Sequence, residues 1–188
     1  HWLVYHKDIG NTKFLYFSLT NAELTSSQAW NNTTPDSSVV TLGNSDLVNG
    51  SSENLVAYCF AEKKGYSKFG SYTGNGDADG TFIYTGFKPA FIITKASTRT
   101  SAWLMYDNKR NTFNLTDKKL MPNENGAENN SIDPVGVTAL TNNIDIVSNG
   151  FKQRTDTGYN NQSGQTYIYM AIAENPFTTS TGIPTTAR

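Results

Sequence analysis

The chain has 188 residues and a formal net charge of −1, from 15 basic and 16 acidic side chains. That balance offers no basic patch for nucleic acid or an anionic membrane surface. No stretch approaches the roughly 20 consecutive apolar residues of a membrane span, so insertion is not expected. The bias lies elsewhere: Asn, Thr and Ser make up about a third of the residues. Thr and the aromatics suit strands, whereas Asn, Ser and Gly suit turns.

In chain order, the strand patterns are Trp2–His6, Lys13–Leu19, Ser38–Leu42, Leu55–Glu62, Phe69–Thr73, Thr81–Tyr84, Ala90–Lys95, Trp103–Tyr106, Ile144–Val147, Phe151–Arg154 and Tyr167–Glu174. Turn signals fall between them, at Val48-Asn49-Gly50-Ser51, Thr73-Gly74-Asn75-Gly76 and Ser148-Asn149-Gly150 among others. This spacing predicts an all-β fold of antiparallel β-sandwich or jelly-roll-like units. Helix is confined to a turn or two over Asn21–Ser27 and a turn over Asp107–Thr112. Leu55–Ala61 and Tyr167–Ala173 are apolar on both alternating faces, as strands covered on both sides are. The single Cys59 lies in the first of these runs and reads as a small buried core residue.

The chain repeats itself. Trp2-Leu3-Val4-Tyr5 matches Trp103-Leu104-Met105-Tyr106, Asn11-Thr12 matches Asn111-Thr112, and Ala22-Glu23 matches Ala127-Glu128. Val56–Glu62 matches Ile168–Glu174 at a constant separation of 112 residues, 174 less 62, which also sets Asn49 against Asn161 and Ser51 against Ser163. Two tandem related repeats are expected: 1–65, lacking its N-terminal strands, and 66–177, followed by an extended tail over 178–188. Strands precede Trp103, but only His1 precedes Trp2. The missing opening strands are therefore expected from upstream in a longer protein or from another chain, because an open sheet edge is a liability.

Catalytic chemistry finds little support. The histidines are His1 and His6 only, an odd spacing that puts them on opposite strand faces. Glu62 and Glu174 are repeat equivalents rather than a facing carboxylate pair, so glycan cleavage is not expected. No catalytic residue and no cofactor is assigned. Asn75, Asp77 and Asp79 imitate the start of a calcium loop, but the acid needed twelve positions along would fall at Gly86. An acidic hairpin turn is the preferred reading. For glycan binding, which uses a flat aromatic beside amides, the candidates are Trp30 with Asn31 and Asn32, and Tyr159 with Asn160 and Asn161.

Gly86-Phe87-Lys88-Pro89-Ala90-Phe91-Ile92-Ile93-Thr94-Lys95, Trp103-Leu104-Met105-Tyr106-Asp107, Ser148-Asn149-Gly150-Phe151-Lys152 and the Tyr-rich strand ending in Ala173-Glu174 resemble an uncharacterised β-rich repeat family. That family occurs in tail-fibre-like and other virion proteins of tailed phages, notably marine ones. The resemblance implies a non-enzymatic structural role on the particle surface, with other virion proteins as partners and a possible host-surface glycan as ligand. A homo-oligomer is expected, with a trimer as first guess by analogy with phage fibres. The competing reading is a bacterial extracellular lectin-like adhesin or glycan-binding module.

Overall fold

The computed structural model describes residues 1–111, 113–126, 128, 143–156 and 158–177. The proposed tail over 178–188 and the Ala127 and Thr112 repeat matches lie outside them. The described chain is all-β and antiparallel, with two single-turn helices.

The N-terminal part forms a three-stranded sheet ordered β1 (Leu3–Val4), β2 (Lys13–Tyr16), β3 (Leu24–Thr25). Leu3 lies opposite Tyr16, and Val4 opposite Leu15. Two short helices follow, α1 (Ser27–Trp30) and α2 (Asp46–Asn49). Each begins where a serine hydroxyl accepts a backbone N–H of the first turn: Ser26 from Gln28, and Ser45 from Leu47. The helical turn thus starts at Ser27, and the expected helix over Asn21–Ser27 is instead mostly β3 and its approach.

The remaining strands build two further sheets. β4 (Ser67–Thr73), β10 (Thr166–Ala173), β6 (Pro89–Ala96) and β7 (Leu104–Asp107) lie in that order, while β5 (Phe82–Tyr84), β9 (Gly150–Gln153) and β8 (Ile144–Val147) form the other. β10 is central, paired over seven positions with β4, from Thr166 opposite Thr73 to Ile172 opposite Ser67. Its other edge is paired with β6, Tyr167 opposite Ala96 and Ile172 opposite Phe91.

The double-sided apolar pattern of β10 follows from this place. Tyr167, Tyr169 and Ala171 point into a core shared with Ile83, Ile144 and Phe151 of the β5-β9-β8 sheet. Ile168 points to the other side, into a cluster with Ile93, Trp103, Leu15 and Ile9, so the β1-β2 hairpin covers that face. Full burial of side chains of this size stabilises by roughly 1.5–3 kcal/mol each. The Trp103 indole N–H donates to the Tyr16 carbonyl at 2.8 Å and fastens the hairpin to the sheet.

Several expectations need correction. Leu55–Glu62 forms no strand, and Val56, Tyr58 and Phe60 are 63–71 % exposed. Cys59, expected in the core, is also exposed. A strand exists by virtue of its ladder partners, and among the described residues nothing pairs along this run. The apolar strand patterns around Trp2, Trp103, Phe60 and Ile172 predict their burial; Trp103 is buried, but Trp2 is 52 % exposed and stacks on Tyr58 at 5.8 Å. Ile172 is half-buried. Ser38–Leu42 is a loop, shaped by the Asp36 carboxylate accepting from the Ser38 and Val39 backbone N–H groups.

The two Trp-headed segments share local features. Val4 pairs with Leu15 in the first, and Met105 pairs with Leu120 through an isolated bridge in the second. In each, a lysine in the turn beyond the strand meets the glutamate that closes the matching run: Lys7 with Glu62 at 2.8 Å, and Lys109 with Glu174 at 3.6 Å.

Candidate functional site

The loop after β4 and the loop before β10 meet around one buried amide. Asn161 is fully buried, and its Nδ2 lies 2.7 Å from Asn75 Oδ1, 2.8 Å from the Asp77 carbonyl and 2.7 Å from the Thr155 carbonyl. Its Oδ1 accepts the Asn75 backbone N–H at 3.2 Å. The approach is close enough to require glycine: a Cβ on Gly80 would sit 2.7 Å from Asn161 Nδ2, and one on Gly74 2.3 Å from the Gln162 carbonyl.

Asn160 is buried too. Its carbonyl accepts the Tyr72 hydroxyl at 2.8 Å, and its Nδ2 donates to the Tyr106 hydroxyl at 3.4 Å. Gln153 donates to the same Tyr72 hydroxyl at 3.0 Å. Burial pushes Tyr72 and Tyr106 well above the usual phenol range. Tyr159 is 7 % exposed. Tyr159, Asn160 and Asn161 are therefore interior residues, not an open platform for a sugar: the Asn161 amide serves loop backbone and the Asn160 Nδ2 a tyrosine hydroxyl, while Asn160 Oδ1 and Gln153 Oε1 are buried without a hydrogen-bond partner among the described residues. Asn161→Ala is expected to destabilise by about 2–4 kcal/mol, since several buried polar groups lose their partner together. Denaturant unfolding measures the loss, and faster proteolytic cutting at 74–80 should accompany it.

The acidic turn is likewise self-contained. Asn75 Oδ1 accepts from the Asp77 backbone N–H, and Asp77 Oδ1 from that of Asp79. The Asp79 carboxylate pairs with Lys152 at 2.6 Å and Arg154 at 3.0 Å, and the Lys152 hydrogen bond first, then its charge, holds it below the usual carboxylate range. No group of three His, Cys, Asp or Glu side chains suited to a metal exists among the described residues. Millimolar calcium is expected to leave the thermal midpoint unchanged; a rise that chelator reverses would contradict this reading of the turn.

The first glycan candidate is split. Trp30 is 6 % exposed, packed with Phe14, Ala29 and Val48, with Tyr5 edge-on at 5.9 Å and its indole N–H given to the Lys13 carbonyl at 2.9 Å. Asn31 and Asn32 are exposed, at φ 48° and 50°, in the left-handed region that asparagine tolerates. The ring that was to stack on a sugar faces inward while its amides face out. The two candidates also sit in separate cores.

Sequence reasoning missed a cleft of about 330 Å³ beside α1 and β2, lined by Tyr16, Leu24, Thr25, Ser26, Gln28 and Leu47 among others, with no charged side chain in its lining. The polar run Thr25-Ser26-Ser27-Gln28 next to an aromatic strand was the available signal.

The carboxylates nearest to chemistry are all paired. Burial pushes Glu62 up, but hydrogen bonds and charge from Lys7 and Lys68 outweigh it and hold the group low. Glu174, hydrogen-bonded by Lys88 and near Lys109, is also lowered. Asp107 is engaged by Arg110 and by the Lys109 and Arg110 backbone N–H groups.

Fold and site together define an antiparallel all-β protein in which the buried Asn161 amide ties two loops together. Residues 1–176 match the model of a domain of unknown function, DUF7483, and the chain belongs to that family. No curated protein and no solved structure matches it.

Proposed function

We propose that the chain is a non-enzymatic structural module of the surface of a tailed-phage particle, a tail-fibre or other fibre or decoration unit, built from two related β-sandwich repeats. The observation that carries this reading is the way its functional groups are spent. The catalytic-type carboxylates Glu62, Asp79, Asp107 and Glu174 are each tied to cations, the Asn161 amide is tied to loop backbone, and the Asn160 Nδ2 to a tyrosine hydroxyl. The matched hairpin pairing and the matched Lys–Glu contacts support the duplication.

Exposed apolar side chains outside residues 55–60, such as Phe82, Tyr84 and Phe113, suit a protein that works inside an assembly, as a homo-oligomer or with other virion proteins. A host-surface glycan is proposed as ligand, at the uncharged cleft of Tyr16 and Gln28 rather than at Trp30. The test is quantitative mass spectrometry of density-purified particles from a phage that encodes the chain. Stoichiometric recovery with known particle proteins is the expected result. Its loss from particles, with recovery in the bacterial surface fraction, would overturn the reading in favour of an adhesin.

A further inference from the structure

In the first repeat, the run that corresponds to the central strand β10 has no ladder partners among the described residues and forms no strand. At the separation of 112, residues 54–60 correspond to Thr166–Ile172, the part of β10 paired on both edges. Leu55, Ala57 and Cys59 correspond to Tyr167, Tyr169 and Ala171, which are buried in one core; Val56 and Tyr58 correspond to Ile168 and Met170 on the other face. Both sets are exposed here, along the whole of 51–64.

The run is nonetheless held in place. Tyr58 stacks on Trp2, as Met170 shares a cluster with Trp103, and Glu62 pairs with Lys7, as Glu174 pairs with Lys109. β1, which corresponds to β7, pairs with β2 on one edge only. In the second repeat, β6 lies between β10 and β7, and β4 lies beyond β10. Among the described residues, no strand occupies the equivalent two slots, between 54–61 and β1 and on the far side of 54–61.

We propose that residues 54–61 and the free edge of β1 form an acceptor for two antiparallel strands. The occupant is a segment with the β4-to-β6 pattern of Ser67–Ala96, from a further repeat of this family. Backbone ladders would supply affinity, and alternating apolar side chains would set register. A second copy of this chain is the poorer occupant, because its own β4 and β6 already pair with its β10. The inference rests on the duplication and not on where the protein resides, so its failure and that of the virion reading are read by separate experiments.

The experiment duplicates residues 66–101 directly ahead of His1 and compares this protein with the 188-residue chain. The readouts are maleimide labelling of Cys59, hydrogen exchange of amides 55–61 and mass by light scattering. The expected result is a monomer in which Cys59 labels more slowly by about tenfold or more and these amides become protected. Ala57→Pro in the extended protein should reverse both, since proline cannot join a central ladder, while β10 stays protected. Unchanged labelling of Cys59 in the extended protein would overturn the proposal. So would loss of β10 protection, because the added strands would then be competing for β10. A dimeric 188-residue chain with Cys59 already protected would overturn it in favour of a second copy.

Discussion

Between about pH 7 and pH 10, the free energy of unfolding is expected to rise by about 3–4 kcal/mol, at about 1.4 kcal/mol per unit of pKa difference. The cause is Lys95, which is fully buried in β6. Its Nζ donates to the Ala96 carbonyl at 2.7 Å and the Thr20 carbonyl at 3.4 Å, with no carboxylate among its hydrogen-bond partners. Burial, aided by the charge of Arg99, pushes this ammonium down to about 7. An unfolded lysine titrates near 10.4. Within that window the unfolded state carries a proton that the folded state has released, so raising the pH favours folding. Lys119, lowered chiefly by burial, adds in the same direction. Above about pH 10 the sign reverses. Burial raises Tyr72, Tyr106, Tyr167 and Tyr169, the last to about 12, so the unfolded chain loses phenol protons first. Urea unfolding at a series of pH values checks this, and Lys95→Met should flatten the rise. A profile that falls steadily from neutral pH upward would contradict it.

Trp103→Ala is expected to cost about 3–5 kcal/mol, whereas Trp2→Ala should cost under about 1 kcal/mol, although the two residues head matching motifs. Trp103 is 4 % exposed, joins Ile93, Ile168 and Leu15 on the covered face of the four-stranded sheet, and carries the hydrogen bond to Tyr16. Its removal leaves a cavity and an unpaired carbonyl where the hairpin docks. Trp2 has one stacking partner, Tyr58, and is half open to solvent. Denaturant midpoints of the two variants measure the difference. Equal losses would mean that Trp2 is buried in solution.

The strands from β4 to β10 were legible because period-2 patterns and turn residues agree there: Ala90–Lys95 became Pro89–Ala96, and Tyr167–Glu174 became Thr166–Ala173. Leu55–Glu62 carries the same signal and forms no strand, because the pattern specifies what a strand buries and not that partners stand beside it. Trp2 and Phe60 are exposed for the same reason. The site was harder to read. Asparagine-rich stretches suggest wet loops, yet an amide can close a loop from inside, as Asn161 does for Asn75–Asp77. Asn75, Asp77 and Asp79 form a turn but not the expected hairpin, because β4 and β5 pair into different sheets; the three side chains cap backbone N–H groups or draw a cation. Nothing local distinguishes Trp30, with its ring turned inward, from an exposed aromatic; only the β2 carbonyl it reaches does.

The most direct test of the central claim is electron imaging of intact phage particles decorated with antibody against the exposed loop around Val39 and Leu42. Label is expected at a regular, repeated position on the outside of the particle, on fibre or shell. Particles that bind no antibody until they are disrupted, or that never bind it while the bacterial surface does, would contradict it.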